Sequence, residues 1–151
     1  MLKSLRRRNR EGMSQTLNER QLYRAAMAAL ARARVTLLFM SFERIRKSLE
    51  RVRCEDVGPF AEAERVCRAV EMASQKLPFT GNCLVKATAG MLLLRRMRLP
   101  GELRIGVARE DRRGFEAHAW IECEGRALIG AEERERFTPL SLNAQDPASL
   151  G

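Results

Sequence analysis

The chain has 151 residues, of which 45% are hydrophobic and 31% charged, with a net charge of +9. That balance is normal for one soluble globular domain that buries a real core. No apolar run approaches the ~18 residues of a membrane span. The four cysteines, Cys54, Cys67, Cys83 and Cys123, have no paired C-x-x-C spacing, so neither a zinc site nor a small secreted disulfide framework is indicated.

The positive charge is unevenly placed. Residues 1–53 hold 14 Lys and Arg against 4 Asp and Glu, whereas the remainder holds 14 against 15. A basic face suits nucleic acid, an anionic membrane surface or an acidic peptide, and equally a solvated helical surface. The basic opening MLKSLRRRNREGMSQ is not followed by the apolar stretch of a signal peptide. A cytoplasmic protein with reduced thiols is expected.

Residues 1–14 lack periodicity and read as a frayed basic tail. From Thr16 to Val52 there is no Gly or Pro, and Ala, Leu, Arg, Met and Glu dominate, which predicts helix. Leu22, Met27 and Leu30 form a loose apolar stripe. Leu38, Phe42, Ile45, Leu49 and Val52 form a stricter one, with Arg44, Lys47, Arg51 and Arg53 largely off it. The β-branched pair Val35-Thr36 is the expected break between two helices of a hairpin. Cys54 to Pro59 is a connector.

Ala61 to Leu77 reads as another helix, with Val66, Val70 and Ala73 on one face and Glu62, Glu64 and Glu71 elsewhere. Pro78 ends it, and Phe79-Thr80-Gly81 delivers the chain to Asn82. A third helix starts at Cys83 and carries Leu84, Ala87, Met91, Leu94 and Met97 on one broad apolar face. After the Pro100-Gly101 turn the period changes. Leu103, Ile105 and Val107 alternate with polar or small residues, Glu116 to Cys123 alternates again, and Glu124-Gly125 is a hairpin signal before Arg126–Ile129. Three antiparallel strands after helices make an α+β order. The expected organisation is a basic helical segment over 1–56, a main domain over 57–140 and a mobile tail over 141–151.

Two residues carry chemistry. Asn82 is a good N-cap, so Cys83 takes the first helical position. There the unpaired N–H groups and the helix dipole favour an anion, which makes a thiolate available. Cysteine proteases need this: a thiolate nucleophile whose oxyanion is met by backbone N–H groups. An isolated Asn-Cys at a helix start is more often an ordinary buried thiol. The only histidine, His118, shifts that balance. It lies mid-strand with Trp120 on its own face and Ala117, Ala119 and Ile121 on the other. Packed beside Cys83, it serves as general base and then as acid, with Trp120 walling the site and excluding water. One histidine and scattered cysteines do not make a metal site, and no cofactor is expected.

The segments CLVKATAGMLLLRRMRLPGELRIGVARED and EAHAWIECEGRALIG, approached by AERVCRAVEMASQKLPF, closely resemble the lasso peptide biosynthesis B2 proteins. These are transglutaminase-like cysteine proteases that remove the leader from a ribosomally made precursor peptide. The resemblance covers roughly Ala61 to Leu140. It implies a transglutaminase-like, papain-like α+β core, a helix with an N-terminal Cys packed on a small antiparallel sheet, preceded by a helical segment. It also implies Cys83 as nucleophile and His118 as base; the Cys83 N–H, with the Trp120 indole N–H as a second donor, is the expected oxyanion stabiliser. Asn82 and Trp120 border the bound peptide. By the family's logic the partners are the precursor leader, a separate leader-recognition protein of the B1 type and an ATP-using lasso cyclase. Nucleic acid is not among them, and the basic helices before Cys54 are the expected docking surface.

The family's third residue, usually Asp, follows the histidine strand. Here that neighbourhood reads ALIGAEERERF, with Gly130 at or near the expected place. Three explanations stand: Glu132 or Glu133, the nearest carboxylates, reaches His118 from a longer side chain, a backbone carbonyl orients the ring, or catalysis is weak unless a partner completes the site. Glu132 is the preferred candidate. Asp111 lies in a charged turn and reads as solvated.

Overall fold

The computed structural model describes residues 17–41, 44, 58–78, 82–110 and 114–139. Within them the chain forms helices α1 (Glu19–Phe39), α2 (Phe60–Ser74) and α3 (Cys83–Met97). Strands β1 (Glu102–Glu110), β2 (Gly114–Cys123) and β3 (Arg126–Ile129) follow. A 3-10 turn (Ala131–Arg136) then leads to the short β4 (Thr138–Pro139).

Helix α1 begins with a capping box. The Asn18 side chain accepts the Gln21 N–H, and the Gln21 side chain accepts the Asn18 N–H. Its buried residues, Leu22, Ala26, Ala29, Leu30 and Ala33, lie at helical spacing, and the alanines let α2 and α3 approach closely. The expected break at Val35-Thr36 is absent, and the helix runs on to Phe39. A β-branched residue costs a helix only a few tenths of a kcal/mol, and the flanking Ala, Arg and Leu carry it through. Of the second apolar stripe only Leu38 is described, exposed near the end of α1; Phe42, Ile45, Leu49 and Val52, the basic residues Lys47, Arg51 and Arg53, Asp111 and the two tails lie outside the described residues. Arg65 ties α2 to the start of α1. Its guanidinium binds the Glu62 carboxylate at 2.6 Å, the Glu19 carboxylate at 2.9 Å and the Leu17 carbonyl.

Helix α3 is the middle of the molecule, packed on α1, α2 and the sheet. Burial extends over Val85, Ala87, Thr88, Ala89, Gly90, Met91, Leu93 and Leu94, which is wider than the single apolar face expected. Leu84 and Met97 are only partly buried. The helix is wrapped on most sides, so one stripe does not describe it.

The sheet has four strands in the order β3-β2-β1-β4, with every pairing antiparallel. Glu124 and Gly125 take positive φ of 51° and 76° at the β2–β3 hairpin, as Glu-Gly between alternating runs predicts. The fourth strand was not foreseen. Two residues containing a proline carry no alternation, and β4 is defined only by its pairing with Gly106 and Val107 of β1.

The two faces of β2 have different neighbours. Ala119 and Ile121 join the helical core, and Ile121 lies against Gly90 of α3. His118 and Trp120 project the other way. Because β3 and β4 are at opposite edges, the chain after β3 crosses this outer face through the 3-10 turn, which packs on β2. Phe137 follows the turn and closes over it. Gly106, paired with His118 across the ladder, makes room for that closure. A Cβ there would stand 2.9 Å from Phe137 Cβ and Trp120 Cζ3 and 3.0 Å from the Thr138 carbonyl. Gly106→Ala is therefore expected to lower stability by about 1–3 kcal/mol, measured by chemical denaturation.

Candidate active site

The helix head is built by Asn82. Its backbone is extended, its side-chain oxygen accepts the Leu84 N–H at 2.9 Å, and its carbonyl takes the Val85 and Lys86 N–H groups. Cys83 is the first residue of α3, as the cap predicts. The thiol is partly buried, with Sγ 3.9 Å from the Asn82 side-chain oxygen. Nothing among the described residues accepts the Cys83 N–H. One open amide therefore sits beside the sulfur at the positive end of the helix.

His118 sits mid-strand and is 9% exposed. Its ring is stacked between Trp120, with centroids 6.0 Å apart, and Phe137, at 4.9 Å. His118 Nε2 is 3.2 Å from the Gly130 carbonyl oxygen. A carbonyl only accepts, so Nε2 carries the hydrogen, and Nδ1 is the bare nitrogen of the neutral ring.

Gly130 has φ 74°, in the left-handed region that glycine enters most readily. Its N–H donates to Glu71 Oε1 of α2 at 3.4 Å. A Cβ on residue 130 would lie 3.1 Å from His118 Nε2. Where the resemblance expects a carboxylate side chain beside the ring, this chain presents backbone. Glu132 falls two residues on, within the 3-10 turn.

Trp120 is 1% exposed, and its indole N–H donates to Glu122 at 3.2 Å. That N–H is engaged, and the ring is enclosed by the crossing chain. In this conformation the indole N–H is spent on Glu122. The ring's place is under His118, supporting the imidazole.

The structure thus assembles two groups, Asn82-Cys83 at the head of α3 and His118-Trp120-Phe137-Gly130 on the outer side of β2. Among the described residues no hydrogen bond joins Cys83 to His118. Nor does any cluster of three or more His, Cys, Asp or Glu suit a metal ion. No helix among them is long and apolar enough to cross a membrane. Sequence reasoning missed Phe137 and Glu71. An aromatic after the charged run EERER carries no face information, and Glu71 reaches the site from another element, 59 residues before Gly130.

The other described thiols are poor nucleophiles. Cys67 and Cys123 are buried, and burial, with smaller contributions from Glu71 and Cys123, pushes the Cys67 thiol far up.

A family model described as the transglutaminase-like superfamily matches residues 26–142, a span from within α1 to beyond β4. No curated protein and no solved structure matches the chain. Among Cys67, Cys83 and Cys123, iodoacetamide on the folded protein is expected to label Cys83 alone. Peptide mapping by mass spectrometry reads this, and the two buried thiols should react only after denaturation.

Proposed function

The chain belongs to the transglutaminase-like superfamily, and from that premise we propose that it is a cysteine protease that removes the leader from a lasso peptide precursor. The observation that carries the reading is the helix head capped by Asn82, with Cys83 at its first position and its N–H taken by none of the described residues. The resemblance of residues 83–111 and 116–130 to the leader peptidases supplies the substrate class.

In the proposed reaction the Cys83 thiolate attacks the carbonyl carbon at the leader–core junction, and the Cys83 N–H meets the oxyanion. His118 Nδ1 takes the thiol proton and gives it to the amine of the core peptide, which leaves. The leader stays as a thioester on Cys83. His118 then draws a proton from water, the hydroxide adds to the thioester, and the leader acid departs with the thiol restored. The Gly130 carbonyl orients the ring through Nε2. Glu132, the side-chain candidate for that role, is assigned at most a secondary part. Asn82 caps the helix beneath the bound peptide. Catalytic hydrogen bonds are often long in the absence of substrate, and on this reading the Cys83–His118 contact tightens when peptide is held.

A B1-type leader-recognition protein would present the leader, and a lasso cyclase would take the core. The basic N-terminal segment is the proposed docking surface for these partners.

A second reading, a noncatalytic adaptor that binds peptide, is favoured by the lack of a carboxylate at position 130 and of a Cys83–His118 hydrogen bond. The two are separated by incubating the protein with precursor and leader-binding partner and following the products by mass spectrometry. Cleavage at one junction is expected. It should fall by roughly 100-fold or more in Cys83→Ala and His118→Ala and be largely retained in Glu132→Ala. Intact precursor together with normal peptide binding would establish the adaptor.

A further inference from the structure

Glu71 is half-buried on α2, beside Val70 and Ala73 of the core-facing side. Helix α2 packs on β3, and the Glu71 carboxylate reaches past the end of that strand to Gly130. The last ladder pair of β3 is Ile121 with Ile129, so the Gly130 N–H lies beyond the sheet's own hydrogen bonds. A part-buried donor without a partner is costly, and Glu71 Oε1, at 3.4 Å, supplies one. The same residue turns its carbonyl onto His118 Nε2 at 3.2 Å. Its two backbone groups are therefore held from opposite sides, one by α2 and one by the imidazole. This matters because the residue is glycine at φ 74°, where no side chain limits rotation.

We infer that Glu71 is a positioning residue for His118, acting through Gly130 in place of the carboxylate that position 130 lacks. The inference rests on the reading of His118 as the base. Glu71 fixes residue 130, the Gly130 carbonyl fixes the hydrogen on Nε2, and Nδ1 is thereby left as the nitrogen that takes a proton. Without Glu71 the Gly130 N–H loses its partner. The carbonyl then turns off the ring, and the imidazole divides between its two tautomers.

The chain holds a single histidine, so the imidazole nitrogen resonances of the ¹⁵N-labelled protein report His118 alone. With the ring neutral, wild type should show the Nε2–H tautomer. Glu71→Ala should show both forms, and Glu71→Gln, whose amide oxygen accepts the same bond, should restore one. Glu71→Asp withdraws the oxygen by one methylene while keeping the charge, and should behave as Glu71→Ala; it also serves if the alanine variant does not fold. Precursor cleavage should follow, with kcat reduced roughly 10- to 100-fold in the Ala and Asp variants at unchanged KM, and recovered in Gln. A wild-type tautomer in folded Glu71→Ala and Glu71→Asp, even with a lower melting temperature, overturns the inference and leaves Glu71 a structural residue. Full cleavage by His118→Ala would overturn the base assignment and this inference together. Loss of cleavage in His118→Ala with wild-type behaviour in Glu71→Ala would overturn the positioning role alone.

Discussion

A helix can be buried along its whole length but not at its start, where the first N–H groups have no partner within the helix. Helix α3 meets that constraint in its most demanding form. It is surrounded by α1, α2 and the sheet, and its buried stretch runs from Val85 to Leu94. Asn82 satisfies one orphan donor through its side chain, and none of the described residues takes the Cys83 amide. The thiol is placed where packing ends, at the head of the helix. The same feature lets this helix serve as the centre of the core and presents the Cys83 thiol at its edge.

The second half of the site comes from topology. With β3 and β4 on opposite edges of the sheet, the chain has to cross one face to join them. The crossing covers His118 with Phe137, seats Trp120 beneath it and brings the Gly130 carbonyl to Nε2. The bare Cα of Gly106 makes that layer possible. The imidazole thus stacks on two aromatic rings and is held at one nitrogen by a backbone carbonyl, all groups that carry no charge. Among the described residues Glu71 adds a carboxylate to this shell, and it accepts from the Gly130 backbone N–H and not from the ring.

Much of this was legible in the sequence because it is local. The Asn82 cap, the start of α3 at Cys83, the alternation of β1 and β2 and the Glu124-Gly125 hairpin are each set by neighbouring residues. The helix boundary at Val35-Thr36 was misread because β-branching is a weak penalty within a long run of good helix formers. The width of burial on α3 was under-read because wrapping by three elements leaves no polar stripe to mark. What orients His118 is open in the sequence among a Glu side chain, a backbone carbonyl and a completing partner. A backbone acceptor has no signature in residue type, and Glu71 reaches Gly130 only through the packing of α2 on β3. Trp120 lies on the same face of β2 as His118, as the alternation predicts, and its indole N–H is engaged by Glu122, a partner two residues away that strand alternation does not single out.

The central claim is that the imidazole of His118 and the thiol of Cys83 work as a pair. The rate of Cys83 alkylation at neutral pH, compared between the wild-type protein and His118→Ala of equal stability, tests it most directly. The account predicts a reaction slower by roughly tenfold or more in the variant, because the ring that takes up the thiol proton is gone. Equal rates would mean that the two groups, which share no hydrogen bond in this structure, do not act together, and the protease reading would fall with them.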